Sequence, residues 1–260
     1  MSRYDAMFAR LRASGEGAFG AFTMLGDPDL KTSATLLDTL VEAGADMLEV
    51  AIPFSDPVAD GPVIQAAAVR ALAAGTRTAD CFALLGAFRA RHPEVPVGIL
   101  TYANLVVARG RDAFYRAAGR AGLDSVLVAD VPMIEATPFL ASARAAGVSP
   151  VLIAAPNTPR PTLARIAAEG DGYTYCVARA GVTGADEEVH FVADIITALR
   201  EEGAPPPVLG FGISRPRHVR LALEAGAAGV ISGSAIVKLV ETDPAALPGF
   251  VGDMKAATRP

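Results

Sequence analysis

Ala-Gly recurs along the chain, at Ala43-Gly44, Ala121-Gly122, Ala146-Gly147 and Ala225-Gly226. Each pair follows an Ala-rich amphipathic stretch and precedes a short β-prone run. Glycine just past a helix end suits the left-handed turn that closes it, so each pair reads as a helix passing into a strand. Gly170 and Gly203 occupy similar positions. From Gly122 onward the spacing is about one helix plus one strand with short loops, which predicts a βα array and not an all-β fold. Eight strands are predicted: Ala18–Leu25, Asp46–Ile52, Val95–Tyr102, Ser125–Asp130, Ser149–Ala155, Tyr173–Ala178, Pro207–Phe211 and Gly229–Ser232. Two helical patterns, Pro62–Ala74 and Ala79–Arg91, fill the long interval after the second strand. The N-terminus also has helical spacing, and a further helical stretch follows the eighth strand. The expected architecture is one (β/α)8 TIM barrel over residues 1–260, with an extra N-terminal helix and extra helices after strands two and eight. An open doubly wound sheet competes with it. No strand is followed by a complete Gly-x-Gly-x-x-Gly turn, and a count of eight suits closure. Pro205-Pro206-Pro207 fits a stiff loop entering strand seven, so no linker divides the chain.

Composition narrows the function classes. Hydrophobic residues make up 52% of the chain, enough for a large core, and the net charge is −5 with no Lys/Arg run. That balance argues against a nucleic-acid footprint and against adhesion to anionic membranes. No apolar stretch reaches membrane-spanning length and the N-terminus lacks a signal-peptide core, so a soluble, cytoplasmic protein is expected. Cys81 and Cys176 lie far apart and read as reduced core thiols. His92, His190 and His218 show no ligand spacing, so no metal site is expected.

Within Asp46–Ile52 the alternating faces carry Met47, Glu49 and Ala51 on one side and Leu48, Val50 and Ile52 on the other. The apolar set suits packing against helices, which turns Glu49 into whatever the sheet encloses. An unpartnered carboxylate there is costly, so this strand reads as part of an active site. Poor solvation would raise Glu49 toward the range useful for proton transfer near neutrality. The alternative is a buried acid satisfied by a barrel Lys or Arg. Asp60, in a loop rich in turn residues, would stay ionised and divide acid and base roles with Glu49. A helix N-cap is the competing reading of Asp60, since it precedes Gly61-Pro62. Asp130, before Val131-Pro132, reads as a turn cap.

In a barrel, functional groups come from the C-terminal ends of strands and the loops beyond them. Those positions hold Phe22, Leu100, Tyr102, Leu127, Ala129, Ile153, Tyr175 and Phe211 beside the two carboxylates. The set suits a flat, apolar substrate. Tyr175 and Tyr173 share the inward parity of strand six, so Tyr175 is either a pocket hydroxyl or a core tyrosine. Gly181-Val182-Thr183-Gly184, Gly210-Phe211-Gly212-Ile213-Ser214 and Ser232-Gly233-Ser234-Ala235 follow the last three strands. Glycines let backbone N–H groups approach an anion, and Ser234 can open a helix whose N-terminus favours phosphate. Together these features predict an enzyme for a phosphorylated substrate with a flat apolar body, worked on by two carboxylates.

These same stretches resemble the tryptophan synthase alpha chain family. The match runs through Leu48-Glu49-Val50, Ile52-Pro53-Phe54-Ser55-Asp56-Pro57, Ala59-Asp60-Gly61-Pro62-Val63-Ile64-Gln65, Asp130-Val131-Pro132 and Ala180-Gly181-Val182-Thr183-Gly184. It continues through Gly210–Ser214, Ile231–Lys238 and the closing Met254–Arg259, in family order. The resemblance implies retro-aldol cleavage of indole-3-glycerol phosphate to indole and glyceraldehyde 3-phosphate. It implies that Glu49 is the general acid and base, Asp60 the carboxylate that binds the indole N–H, and Tyr175 a third polar group that positions Glu49 and substrate. Phe22, Leu100, Leu127, Ala129, Ile153, Thr183 and Phe211 fall where the family holds the indole ring. Gly184, Gly212, Gly233 and Ser234 fall at its phosphate site. A beta-chain partner in an alpha2beta2 heterotetramer is implied, met through the loop carrying Pro53, Asp56 and Pro57 and through the loop after Thr183. Pyridoxal phosphate belongs to that partner, and no cofactor is implied here.

Two departures from the family pattern stand out. Ala185-Asp186-Glu187-Glu188 follows Gly184 where relatives often carry a basic residue, which is expected to weaken binding of an anion. Met24 stands where threonine is common, with an expected effect on contacts to Asp60. A stand-alone lyase that releases free indole, and a different phosphosugar enzyme such as an isomerase, are the other functions weighed.

Overall fold

The computed structural model describes residues 1–177 and 185–259, with the side chains of residues 185–192 outside that description. Among the described residues, nine parallel strands form one sheet: β1 (Ala18–Met24), β2 (Met47–Ala51), β3 (Val97–Thr101), β4 (Ser125–Val128), β5 (Ser149–Pro150), β6 (Leu152–Ala154), β7 (Thr174–Val177), β8 (Pro207–Gly210) and β9 (Gly229–Ser232). Their order is β5-β4-β3-β2-β1-β9-β8-β7-β6. Its two ends, β5 and β6, are halves of one extended stretch. Ser149 and Pro150 pair with β4, while Leu152–Ala154 pair with β7. The predicted fifth strand is therefore interrupted at Val151, whose N–H still reaches Val126 O at 3.2 Å. Counting that stretch once leaves eight staves, and the open-sheet alternative falls.

Strands covered on both faces need apolar residues at every position, and β1 is buried throughout. Its residues divide by parity. Phe19 and Ala21 join the layer between sheet and helices, whereas Ala18, Phe22 and Met24 point into the barrel. In β2, Leu48 and Val50 belong to the outer layer and Met47 and Ala51 to the interior, the division predicted from alternation.

The predicted helices after β2 are present as Pro62–Ala73 and Thr78–Arg91. Beyond β9 lie Ser234–Thr242 and Leu247–Ala256. The N-terminal helix Arg3–Ser14 starts with a reciprocal Ser2–Asp5 cap and buries Tyr4, Met7, Phe8 and Leu11 against the barrel interior. It plugs the N-terminal end of the barrel. Tyr4 reaches Ser125 Oγ at 2.9 Å and packs edge-on to Tyr173. The opposite end is left to the βα loops.

Candidate active site

Glu49 sits at the centre of β2, 3% exposed, in a cavity of ≈ 340 Å³ at the C-terminal end of the barrel. Burial raises its carboxyl from the ordinary 4.5 to about 7, helped by the negative charge of Asp60 and opposed by a hydrogen bond. That bond comes from the Tyr173 hydroxyl, which donates to Glu49 Oε1 at 2.8 Å. Among the described residues no Lys or Arg pairs with Glu49, and its hydrogen-bond partner is a neutral hydroxyl. A carboxyl held near neutrality exists in both protonation states at working pH, as an acid–base catalyst requires.

Asp60 lines the same cavity from the loop after β2 and is half-buried. Partial burial raises its carboxyl, and the Tyr102 hydroxyl beside it pulls the other way. Tyr102 also accepts the Ala59 N–H at 3.2 Å, so it steadies the backbone next to Asp60. The N-cap of the following helix is Gly61, with no side-chain cap bond. Asp60 therefore does not cap it, and its carboxylate is left for the cavity. Met24 is buried in the barrel interior and is not among the residues that line the cavity with Asp60.

Tyr175 also lines the cavity, and its hydroxyl is held far above its ordinary range by burial and then by the charges of Glu49 and Asp60. It is thus a neutral group facing both acids. The hydrogen bond to Glu49 comes from Tyr173, while Tyr175 lines the cavity beside both acids. Parity alone admitted both tyrosines and could not tell which hydroxyl reaches across the barrel. The close approach of Tyr175 depends on Gly210, where a Cβ would lie 2.1 Å from the Tyr175 hydroxyl.

Phe22, Leu100 and Phe211 form apolar walls of the cavity. Phe211 has a backbone φ of 69°, a strained conformation for a bulky residue, and its ring lies edge-on to Tyr175 at 6.3 Å. The turn aims the ring over the mouth. Leu127 is buried in the same interior cluster without lining the cavity, while Ala129 and Ile153 line a neighbouring cavity of ≈ 400 Å³ behind the β4 and β6 ends. Gly212, Gly233 and Ser234 meet at the opposite rim. Ser234 opens helix Ser234–Thr242, and its Gly233 cap offers no side-chain acceptor, so first-turn N–H groups are left for an anion. Ser232 Oγ donates to Ile213 O at 2.6 Å and ties the two halves of this rim together. Thr183 and Gly184 lie outside the described residues, as do the side chains of Asp186, Glu187 and Glu188. Asp130 accepts the Ala103 N–H at 2.7 Å at the head of helix Ala103–Val107, so it serves a distant helix and not the turn before Val131-Pro132 for which it was expected.

A barrel-end cavity with two unlike carboxyls, apolar walls and a rim of free N–H groups is matched by known proteins. The family profile "Tryptophan synthase alpha chain" covers residues 8–256. The chain belongs to the tryptophan synthase alpha chain family. It is 56% identical to the tryptophan synthase alpha chain of Shewanella oneidensis, over 99% of this chain and 95% of that one. Identity to the Escherichia coli alpha chain is 52%, with both chains covered fully. A solved structure from Aquifex aeolicus superposes with a TM-score of 0.92 at 33% identity over the whole of both chains. A chain of Mycobacterium tuberculosis tryptophan synthase does so at 0.91 and 27% identity, over 100% of this chain and 99% of that one. The tryptophan synthase alpha chain is a lyase that cleaves indole-3-glycerol phosphate in tryptophan biosynthesis, and that is the activity of this chain. The family's alpha chain works without a cofactor, pyridoxal phosphate residing in the beta chain.

Proposed function

We propose that Glu49 carries the proton transfers of the cleavage while Asp60 anchors the ring nitrogen. The supporting observation is Glu49 itself, buried, held near pH 7 and sharing one cavity with Asp60. Protonated Glu49 delivers its proton to indole C3, which breaks the ring's conjugation and leaves positive charge at the ring nitrogen. Asp60 accepts the indole N–H and stabilises that charge. The Glu49 carboxylate then takes the proton of the side-chain hydroxyl next to the ring. As that O–H electron pair becomes the carbonyl of glyceraldehyde 3-phosphate, the C–C bond breaks and its electrons restore the aromatic indole. Glu49 ends with the proton it needs for the next turnover. Tyr173 holds the carboxyl in place, Tyr175 and the walls of Phe22, Leu100 and Phe211 orient the ring, and Gly212, Gly233 and Ser234 take the phosphate. Thr183 and Gly184 complete the pocket in this reading, with Leu127 packed behind its walls.

The reading extends to a beta-chain partner in an alpha2beta2 assembly. Val58, Val107 and Ile134 expose large apolar side chains on the segments that follow β2, β3 and β4, at the C-terminal end of the barrel. Exposed apolar groups gathered on one face support a docking surface. Pro53 is buried at the root of its loop, so the outward part is Asp56, Pro57 and Val58. Among the described residues no helix is long and apolar enough to cross a membrane, and the two cysteines are unpaired, which suits the cytoplasm.

The test is cleavage of indole-3-glycerol phosphate by wild type and Glu49→Gln, each with and without a beta chain. The variant should bind substrate and lose turnover by about three orders of magnitude or more. Substantial residual rate would remove Glu49 from this role. A rate unaffected by beta chain, with no co-elution, would favour the stand-alone lyase.

A further inference from the structure

One guanidinium joins the turn after β1 to two helices whose first turns border the cavity. Arg70 Nε and Nη2 donate to the two carboxylate oxygens of Asp27 at 2.7 and 2.9 Å, and Nη1 donates to Glu241 Oε1 at 2.9 Å. Asp27, 2% exposed, lies in the turn after β1. Arg70 lies on helix Pro62–Ala73, which begins directly after the Asp60 loop. Glu241 lies near the end of helix Ser234–Thr242, whose first residue lines the phosphate rim.

The packing around Arg70 gives this link its importance. The buried face of helix Pro62–Ala73 consists of Ile64, Ala67, Ala68 and Ala71. Alanines form low ridges that interlock weakly, so they resist sliding of one helix along another poorly. A bidentate guanidinium–carboxylate pair fixes both distance and plane, which such a face does not.

We propose that Arg70 is a positioning residue for the cleavage. It sets the separation between Asp60 and the phosphate rim, and thereby whether one substrate molecule can engage both at once. The inference rests on the roles proposed above for Asp60 and for Gly212, Gly233 and Ser234. A ligand with a rigid ring at one end and a phosphate at the other is sensitive to that separation. A displacement of one ångström is enough for a loss of about a hundredfold in rate. Ligands that occupy only one end are insensitive to it.

The experiment compares full-length wild type, Arg70→Lys and Glu241→Gln with two probes. One is 3-(indol-3-yl)propyl phosphate, which must span both ends, and the other is glyceraldehyde 3-phosphate, which occupies the phosphate end alone. Arg70→Lys should weaken the spanning probe and lower kcat by about tenfold or more each, with the short probe within about twofold of wild type. Glu241→Gln leaves the Asp27 pair intact and should show the same pattern at about threefold, which keeps the test open if Arg70→Lys does not fold. Folded variants with wild-type kcat and affinity for the spanning probe overturn the proposal. So does an equal loss for both probes, which would make Arg70 a general support of the fold. Should wild type itself bind the spanning probe no more tightly than the short one, the assignment of Asp60 and the rim fails first and takes the proposal with it.

Discussion

Glutamine in place of Glu49 should stabilise the fold in alkaline solution even as it removes turnover, and the site sets the size of the effect. Burial raises the Glu49 carboxyl from 4.5 to about 7. Between those values the folded protein holds a proton that the unfolded chain has already released. Linkage then makes the wild type most stable, relative to an uncharged variant, below the unfolded value, and this advantage is lost as pH rises through the folded value. At about 1.4 kcal/mol for each pH unit, the loss amounts to about 3 kcal/mol. Glutamine is nearly isosteric and keeps an oxygen to accept the Tyr173 hydroxyl, so the variant should lack this dependence. Urea unfolding of both proteins between about pH 5 and pH 9 measures the difference directly. The stability of Glu49→Gln relative to wild type should grow by about 3 kcal/mol across that range, with an unchanged urea dependence. A difference that stays flat with pH would refute the buried, near-neutral carboxyl on which the proton shuttle depends.

Tyr173→Phe removes the one hydrogen bond that, among the described residues, favours ionised Glu49. A bond to a charged group contributes about 1.5–3 kcal/mol, so the Glu49 midpoint in the pH profile of kcat/KM should move up by about one to two pH units. Gly210→Ala places a Cβ 2.2 Å from Tyr175 Cζ and should expel the ring. Combined with Tyr175→Ala, it should be less harmful than the separate effects predict, by a coupling of about 1 kcal/mol or more in thermal or urea unfolding. Ile134→Asp places a charge on an 80% exposed apolar position. It should weaken beta-chain binding by about tenfold or more in calorimetry, since one large apolar side chain buried at an interface contributes about 1.5–3 kcal/mol. The cleavage rate without beta chain should stay within about twofold.

Much of the candidate site was legible before any coordinates. A carboxylate on the inward face of a strand whose outward face is apolar is a local pattern, and Glu49 could be read from the residues on either side of it. The glycine-rich turns near Gly212 and Gly233 were visible for the same reason. Asp60 was ambiguous, because an acid ahead of Gly-Pro serves equally as a cap, and the ambiguity ended with Gly61 as the cap residue. The break at Val151 was not legible either, since it follows from Pro150 lacking an N–H where two neighbouring strands must be served.

Periodicity and helix punctuation are properties of neighbouring residues, so the amino-acid order alone sufficed for the eight staves, the inward acid and the end of the barrel where function gathers. Contacts across the barrel have no such local signature. Tyr173 meets Glu49 from 124 positions away, and Arg70 meets Asp27 and Glu241 from 43 and 171. Whether Tyr173 or Tyr175 reaches the carboxyl depends on the stagger of β7 relative to β2, and these strands are not paired. Stagger is a property of the closed sheet, fixed once all the staves are hydrogen-bonded in register. The local order therefore places the acid in the barrel, and closure of the barrel chooses the hydroxyl that holds it.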